Sequence, residues 1–387
     1  MKPMRRRRAL EILGYGGAAL AARPALAGGG PGDHGHGPIR TRLTREYGLR
    51  HPVVGAGMGF YALPELVGAI SNAGALGVIG AAVQPPPILQ QLIAETRAST
   101  SALFGVDLVH DATAPFVTDA HIDVLVEEQV PVVVFFWDPP QQAWVDRLHA
   151  AGAKVWMQIA SVTGALAALD VGVDLFIAQG AEAGGHQRGV FEGAATPRAE
   201  LVPLVAEAVA PRLVLAAGGI ADGQGLADAL AGGADGAWVG TRFAASAESY
   251  AHDQYKARVL AAKSDGDAVS TTMFGPEWPH KPLMVLRDRV VDQWAGREDQ
   301  IPSPPPPPAV IGNTIFAGQP YAMPKFSVIL PTRDTTGDYE EMCWTAGITS
   351  AKLIDEIKPA AHIVRDMVAE AHAILAGGGD GDDGGGD

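Results

Sequence analysis

Asp174-Leu175-Phe176-Ile177-Ala178 runs directly into Gln179-Gly180-Ala181-Glu182-Ala183-Gly184-Gly185-His186. The apolar run suits a strand buried on both faces, and the paired glycines and polar residues that follow must leave it as a loop. The same unit recurs from about residue 51 to 243: a short apolar run, a Gly or polar end, then an Ala/Leu stretch with helical spacing. The other runs are 52–55, 76–80, 103–108, 130–136, 154–159, 213–217 and 236–240, which makes eight. Eight alternating units predict an α/β fold of the (β/α)8 TIM barrel class, with an open doubly wound sheet as the alternative.

In a barrel, chemistry collects where the C-terminal strand ends meet the following loops. Those ends carry Gly57-Met58-Gly59, the 179–186 loop, Gly218-Gly219 and Gly240-Thr241. Two Gly-rich turns after the last two strands, plus a helix starting near Thr241, predict a phosphate cradle from exposed N–H groups. No Gly-x-Gly-x-x-Gly opens the first helix and no Gly-Lys-Ser/Thr loop occurs, so a mononucleotide is favoured over a dinucleotide or triphosphate. Gly57-Met58-Gly59 lets backbone and a thioether approach a flat ligand. His186, with Glu182 nearby, is the best acid/base in the chain, and its pKa is expected near neutrality. The histidines show no ligand spacing, so no metal is expected, and no Gly-x-Ser-x-Gly elbow is present.

The rest of the 387 residues set limits. With 47% apolar and 19% charged residues the chain is globular, and a net charge of −14 makes nucleic acid a poor partner. Cys343, the single cysteine, excludes an intramolecular disulfide and is expected to be buried and inert. Arg5, Arg6, Arg7 and Arg8 precede a weakly apolar segment and Ala25-Leu26-Ala27, which reads as an export signal of twin-arginine type over 1–27. That segment is too short for stable membrane insertion. The protein is thus expected outside the cytoplasm, and within it if the signal goes unused. A disordered leader over 28–40, a barrel over 41–262, a partly helical lid and substrate region over 263–375, and a disordered acidic tail over 376–387 complete the plan. Pro304 to Pro308 form a stiff connector within the lid region, a helical stretch opens at 337–342, and Trp278, Trp294 and Trp344 are candidates for the pocket wall.

The 179–186 segment, together with Ala217-Gly218-Gly219-Ile220, Gly240-Thr241-Arg242-Phe243 and Ala251-His252-Asp253-Gln254-Tyr255-Lys256, resembles the nitronate monooxygenase family, formerly called 2-nitropropane dioxygenases, over about residues 50 to 375. The resemblance implies an FMN-dependent enzyme that uses O2 to oxidise alkyl nitronates or nitroalkanes to a carbonyl compound and nitrite. An NAD(P)H-dependent FMN reductase of quinone or enoyl substrates is the alternative on the same barrel. It further implies that Met58 lies near the flavin, that Gln158 and Gln179 bond to it, and that Gly184, beside Gly185, supplies backbone contact. Gly218, Gly219, Gly240 and Thr241 would hold the phosphate, and His186 would be the active-site acid/base. The expected partners are a small-molecule substrate and O2, with a homodimer left open. Two departures stand out: Asp107 occupies a position where relatives often carry Asn, so a flavin contact there is expected to differ, and Cys343 to Ser350 replaces a Tyr-Ala-Gly-Gln-Ser segment.

Overall fold

The computed structural model describes residues 39–301 and 310–377. Eight parallel strands close a barrel: β1 (Val53–Gly55), β2 (Leu76–Ala82), β3 (Phe104–His110), β4 (Val132–Trp137), β5 (Lys154–Ile159), β6 (Leu175–Gln179), β8 (Leu213–Ala217) and β9 (Gly236–Val239). β9 pairs back onto β1, with Val54 opposite Trp238. The short β7 (Gly185–His186) lies outside the barrel. The eight expected strands therefore form within a few residues of their expected limits, and the open-sheet alternative is set aside.

The continuous Val/Ile/Leu runs have a simple origin, because both faces of each strand are buried. Val54, Val78, Val134, Trp156, Ile177, Leu215 and Trp238 form one cluster, and their neighbours Val53, Ile79, Val133, Val155, Phe176, Val214 and Ala237 join another with the surrounding helices. The period of two assigns the first set to the barrel interior and the second to the outer face. Burying each such side chain stabilises the fold by about 1.5–3 kcal/mol. At the end opposite the mouth, Trp156 Nε1 donates to Tyr47 Oη at 2.9 Å, and Arg42 reaches Asp235 with two bonds of 2.7 Å. That fork seats the short helix Arg42–Glu46 beside the Asp235 turn.

The outer ring differs from the expected domain plan. The helix Ala360–Gly377 packs against the barrel helices Gly223–Ala231 and Pro64–Asn72, so it takes the place of the eighth barrel helix. Residues 245–359 are thus an excursion between the last strand and that helix, and the last stretch of the expected lid belongs to the barrel. The excursion holds β10 (Ala268–Thr271) and β11 (Leu283–Leu286), which form a sheet with β7. It also holds β12 (Val310–Phe316), β13 (Gln319–Pro324) and β14 (Thr336–Gly337), which form another. The expected helix after Gly337 reduces to one turn, Tyr339–Glu341, and the next helix is Ile348–Ala351. The expected export signal, most of the leader, the proline connector and nearly all of the acidic tail lie outside the described residues. No helix among the described residues is long and apolar enough to cross a membrane.

Candidate functional site

The alternation that packs the barrel also builds its mouth. Two residues beyond the interior layer, the same face of seven of the eight strands presents Ala56, Asp107, Phe136, Gln158, Gln179, Ala217 and Gly240, and all seven line a cavity of about 400 Å³. That volume lies within the range of about 300–1,000 Å³ usual for small-molecule and cofactor sites. Gly57, Met58, Gly59, Gly184, Gly185, His186, Gly218, Gly219 and Thr241 line it too. The nominated acid/base and cofactor-binding residues therefore all line one cavity. The excursion closes over it with Glu277, Trp278, Phe316, Tyr321, Ile329 and Thr345.

One end of the cavity is made of backbone. Gly218 and Gly219 have φ of +101° and +72°, a region that side chains disfavour. A Cβ on Gly240 would meet only Ala56 Cβ and Met58 Sδ, both at 3.8 Å, so the space beside it opens to the cavity. Thr241 Oγ1 accepts the Gly347 N–H at 3.0 Å, which leaves its own proton to donate. The 346–350 segment lies against these turns: a Cβ on Gly184 would stand 2.1 Å from Gly347 N, and one on Gly219 would stand 3.1 Å from Thr349 Cγ2. The sequence departure over Cys343 to Ser350 thus reaches the glycine turns through Gly347 and Thr349, while Thr345 bridges to Val285 of β11. Cys343 itself is fully buried, and burial pushes its thiol well above the ordinary range.

The other end is made of side chains. β7 pairs with β11, with His186 opposite Leu283, and this fixes the His186 backbone. Its ring lies 4.4 Å from that of Trp278 and 6.2 Å from that of Trp137, and Nε2 is buried without a partner. Lys281 Nζ lies 4.9 Å from the Trp137 ring centre and 2.9 Å from Asp111 Oδ2, to which Trp278 Nε1 also donates at 2.8 Å. Burial, and then the Lys281 charge, lower the His186 pKa to about 3. The expectation of a pKa near neutrality is corrected: His186 is a neutral imidazole at neutral pH. Glu182 is not its partner, because its carboxylate accepts the Arg198 N–H at 3.0 Å.

Gln179 also serves the loop. Its Nε2 donates to the His186 carbonyl at 2.9 Å and its Oε1 accepts the Arg188 N–H at 3.2 Å. One N–H and one lone pair of the amide are held by the loop, so Gln179 positions His186 and keeps a second N–H and a second lone pair at the cavity it lines. Gln158 and Asp107 line it too, and Asp107 Oδ1 is buried with no partner. Of the three tryptophans singled out, Trp278 lines the cavity, Trp294 packs on Phe326, and Trp344 is buried in a separate cluster. Trp137, Lys281 and Asp111 escaped the sequence reading because nothing local marks them. Glycine turns at one end, unpartnered polar atoms on Asp107 and His186, and a flat apolar wall together fit a planar ligand with an anionic tail.

A family model described as nitronate monooxygenase matches residues 40–118 and 112–370. The (3aS,4S,5R,7aS)-5-hydroxy-7a-methyl-1-oxo-octahydro-1H-indene-4-carboxyl-CoA dehydrogenase of Mycobacterium tuberculosis is 39% identical over 259 residues, covering 66% of this chain and 68% of its own length. A probable nitronate monooxygenase of Staphylococcus saprophyticus is 30% identical over 307 residues, covering 69% and 84%. Among solved structures, FabK from Thermotoga maritima superposes with a TM-score of 0.70 at 32% identity, covering 88% of this chain and 98% of its own. Nitroalkane oxidase from Streptomyces ansochromogenes gives 0.69 at 26% identity, covering 87% and 99%.

Proposed function

Because the chain belongs to the nitronate monooxygenase family, and is an oxidoreductase of that family, we propose that it is an FMN-dependent enzyme that oxidises alkyl nitronates. The observation that carries this reading is the neutral His186 ring, its Nε2 without a partner, lining the same cavity as the glycine turns. Gly218, Gly219, Gly240 and Thr241 would hold the phosphate, Met58 and Gly57 would lie against the ring, and Gln158 and Asp107 would offer it polar contacts. When bound, FMN would take electrons from the substrate and pass them to O2. A nitronate is already an anion, so it needs a hydrogen-bond donor more than a base. The neutral His186 Nε2, in the tautomer that carries the proton there, supplies such a donor inside a low-dielectric site.

A group with a pKa of about 3 is a weak base toward a neutral nitroalkane. The pre-formed nitronate is therefore the preferred substrate, with kcat/KM at least tenfold above that of the parent nitroalkane. Anaerobic mixing of the flavin-loaded protein with propionate 3-nitronate tests the assignment, and bleaching of the flavin is expected. His186→Phe keeps the ring against Trp278 and removes its polar atoms; it should retain FMN and lose about 10²-fold or more in nitronate turnover, the scale of a positioned proton-handling or hydrogen-bonding group. Unchanged turnover would sink the role given to His186.

A second reading has its own support. Phe116, Phe136, Phe316, Ile329 and Trp278 give a broader apolar wall than a small nitronate requires, and relatives include FabK and a CoA dehydrogenase. If NADH or NADPH bleaches the flavin and nitronate does not, the chain is a nicotinamide-dependent reductase of a larger apolar substrate.

A further inference from the structure

Among the described residues, Asp107 is the one carboxylate on a barrel strand that lines the mouth. It lies on β3 between Gly80 of β2 and Val134 of β4, and neither neighbour offers it a polar side chain. The turn after β1 covers it: a Cβ on Gly57 would stand 2.2 Å from Asp107 Cβ and 2.7 Å from Oδ2. The residue is 7% exposed, and Oδ1 has no hydrogen-bond partner. The cations of the cavity rim are engaged elsewhere, Lys281 with Asp111 and Arg188 with Asp138 and Glu192. Among the described residues, an ionised carboxylate in this place would be a buried charge with neither a counter-ion nor a hydrogen-bond donor.

We propose that Asp107 holds its proton in the pocket and donates a hydrogen bond from that neutral acid to an acceptor on the ring of the bound flavin, an inference that rests on the FMN reading above. The flavin ring carries carbonyl oxygens and bare ring nitrogens, which are acceptors. A carboxylic acid offers one O–H donor and one carbonyl acceptor, which keeps the donor-and-acceptor character of an Asn amide at the same position, less the amide's second N–H. The chemistry at this position therefore survives the change from amide to acid only while the acid stays protonated. Burial alone pushes the Asp107 carboxyl well above the usual range. The other ionisable groups on the cavity wall, His186, Tyr61, Tyr255, Glu277 and Tyr321, exert no charge effect on it.

The experiment combines infrared difference spectroscopy of FMN binding with equilibrium binding and potentiometry on the flavin-loaded full chain. The wild-type difference spectrum should contain the C=O stretch of a protonated carboxylic acid, displaced when FMN binds, and Asp107→Asn should lack it. Asp107→Asn should keep its FMN dissociation constant within threefold of wild type and leave the flavin midpoint potential unchanged, since no charge has been removed. Asp107→Leu should bind FMN at least tenfold more weakly, with thermal unfolding confirming that it folds; if it does not fold, the Asn variant and the infrared band decide alone. A missing carboxylic-acid band, or a midpoint potential that rises in Asp107→Asn as it would when an anion is deleted, overturns the proposal while FMN binding stands. Failure of the unaltered chain to bind FMN overturns both readings together.

Discussion

The two ends of the cavity are built by different means. At the glycine end the surface is backbone: Gly218 and Gly219 at positive φ, Gly240 open beside Met58, and Gly184 in contact with Gly347. At the His186 end it is side chain, with Trp137, Trp278, Lys281 and Asp111 converging from three distant parts of the chain. Where backbone packs on backbone, as at Gly184, an added Cβ has nowhere to turn. Side chains tolerate replacement but respond to charge, because Lys281 and burial set the state of the imidazole.

The sharpest way to break this contrast is at the glycines. Gly184→Ala would place a Cβ 2.1 Å from Gly347 N and 2.4 Å from Ala346 C, backbone atoms that no rotamer change can clear. Overpacking of this kind typically destabilises by about 1–3 kcal/mol. FMN affinity should fall at least tenfold, together with the melting temperature. Gly240→Ala should leave the melting temperature unchanged, because the added Cβ meets protein only at 3.8 Å, and yet weaken FMN binding. Unaltered FMN affinity in Gly240→Ala would move the phosphate away from this end.

At the opposite end Lys281→Met strips the cation from His186 and leaves Asp111 unpaired. Hydrogen bonds from Thr113, Trp278 and Lys281 hold Asp111 well below the usual carboxylate range against the upward push of burial, so the loss should lower the melting temperature. The His186 pKa should climb from about 3, and the acid limb of the kcat/KM profile should move up with it. An unmoved acid limb would show that Lys281 does not set the charge of the ring.

The smallest effect is on the pH dependence of stability, where the two neutral groups act with opposite sign. His186 has its pKa depressed on folding, so its contribution is complete above the unfolded value of about 6.5 and is lost as pH falls toward 3. Asp107 has its pKa raised on folding, so its contribution is complete below the unfolded value of about 3.9 and is lost as pH rises. Melting curves of His186→Phe should flatten the acid slope, and those of Asp107→Asn the slope on the other side. Identical slopes in wild type and variants would mean that neither group is held neutral.

The same contrast explains what could be read from the sequence. Strands buried on both faces write themselves as unbroken Val/Ile/Leu runs, and a site made of turns leaves glycines at fixed strand ends, so the barrel and its backbone-lined end were visible. Alternation from Trp156 and Ile177 even aims Gln158 and Gln179 inward. The charge state of His186 was not visible, because Lys281 lies 95 positions away and reaches it only through the β7–β11 pairing. For Gln179 the place at the mouth follows from β6, but its bonds to the His186 carbonyl and the Arg188 amide depend on how the loop folds back and were not visible. The eighth barrel helix was missed because 115 residues separate the last strand's loop from the segment that supplies it, and periodicity says nothing about such a return.

That detour fixes the order of events at the ribosome. The outer ring gains its last member only after the whole covering excursion has been translated, so a nascent barrel cannot be finished first and roofed later. The roof is moored to the wall at both of its ends, where an appended module would have a single tether.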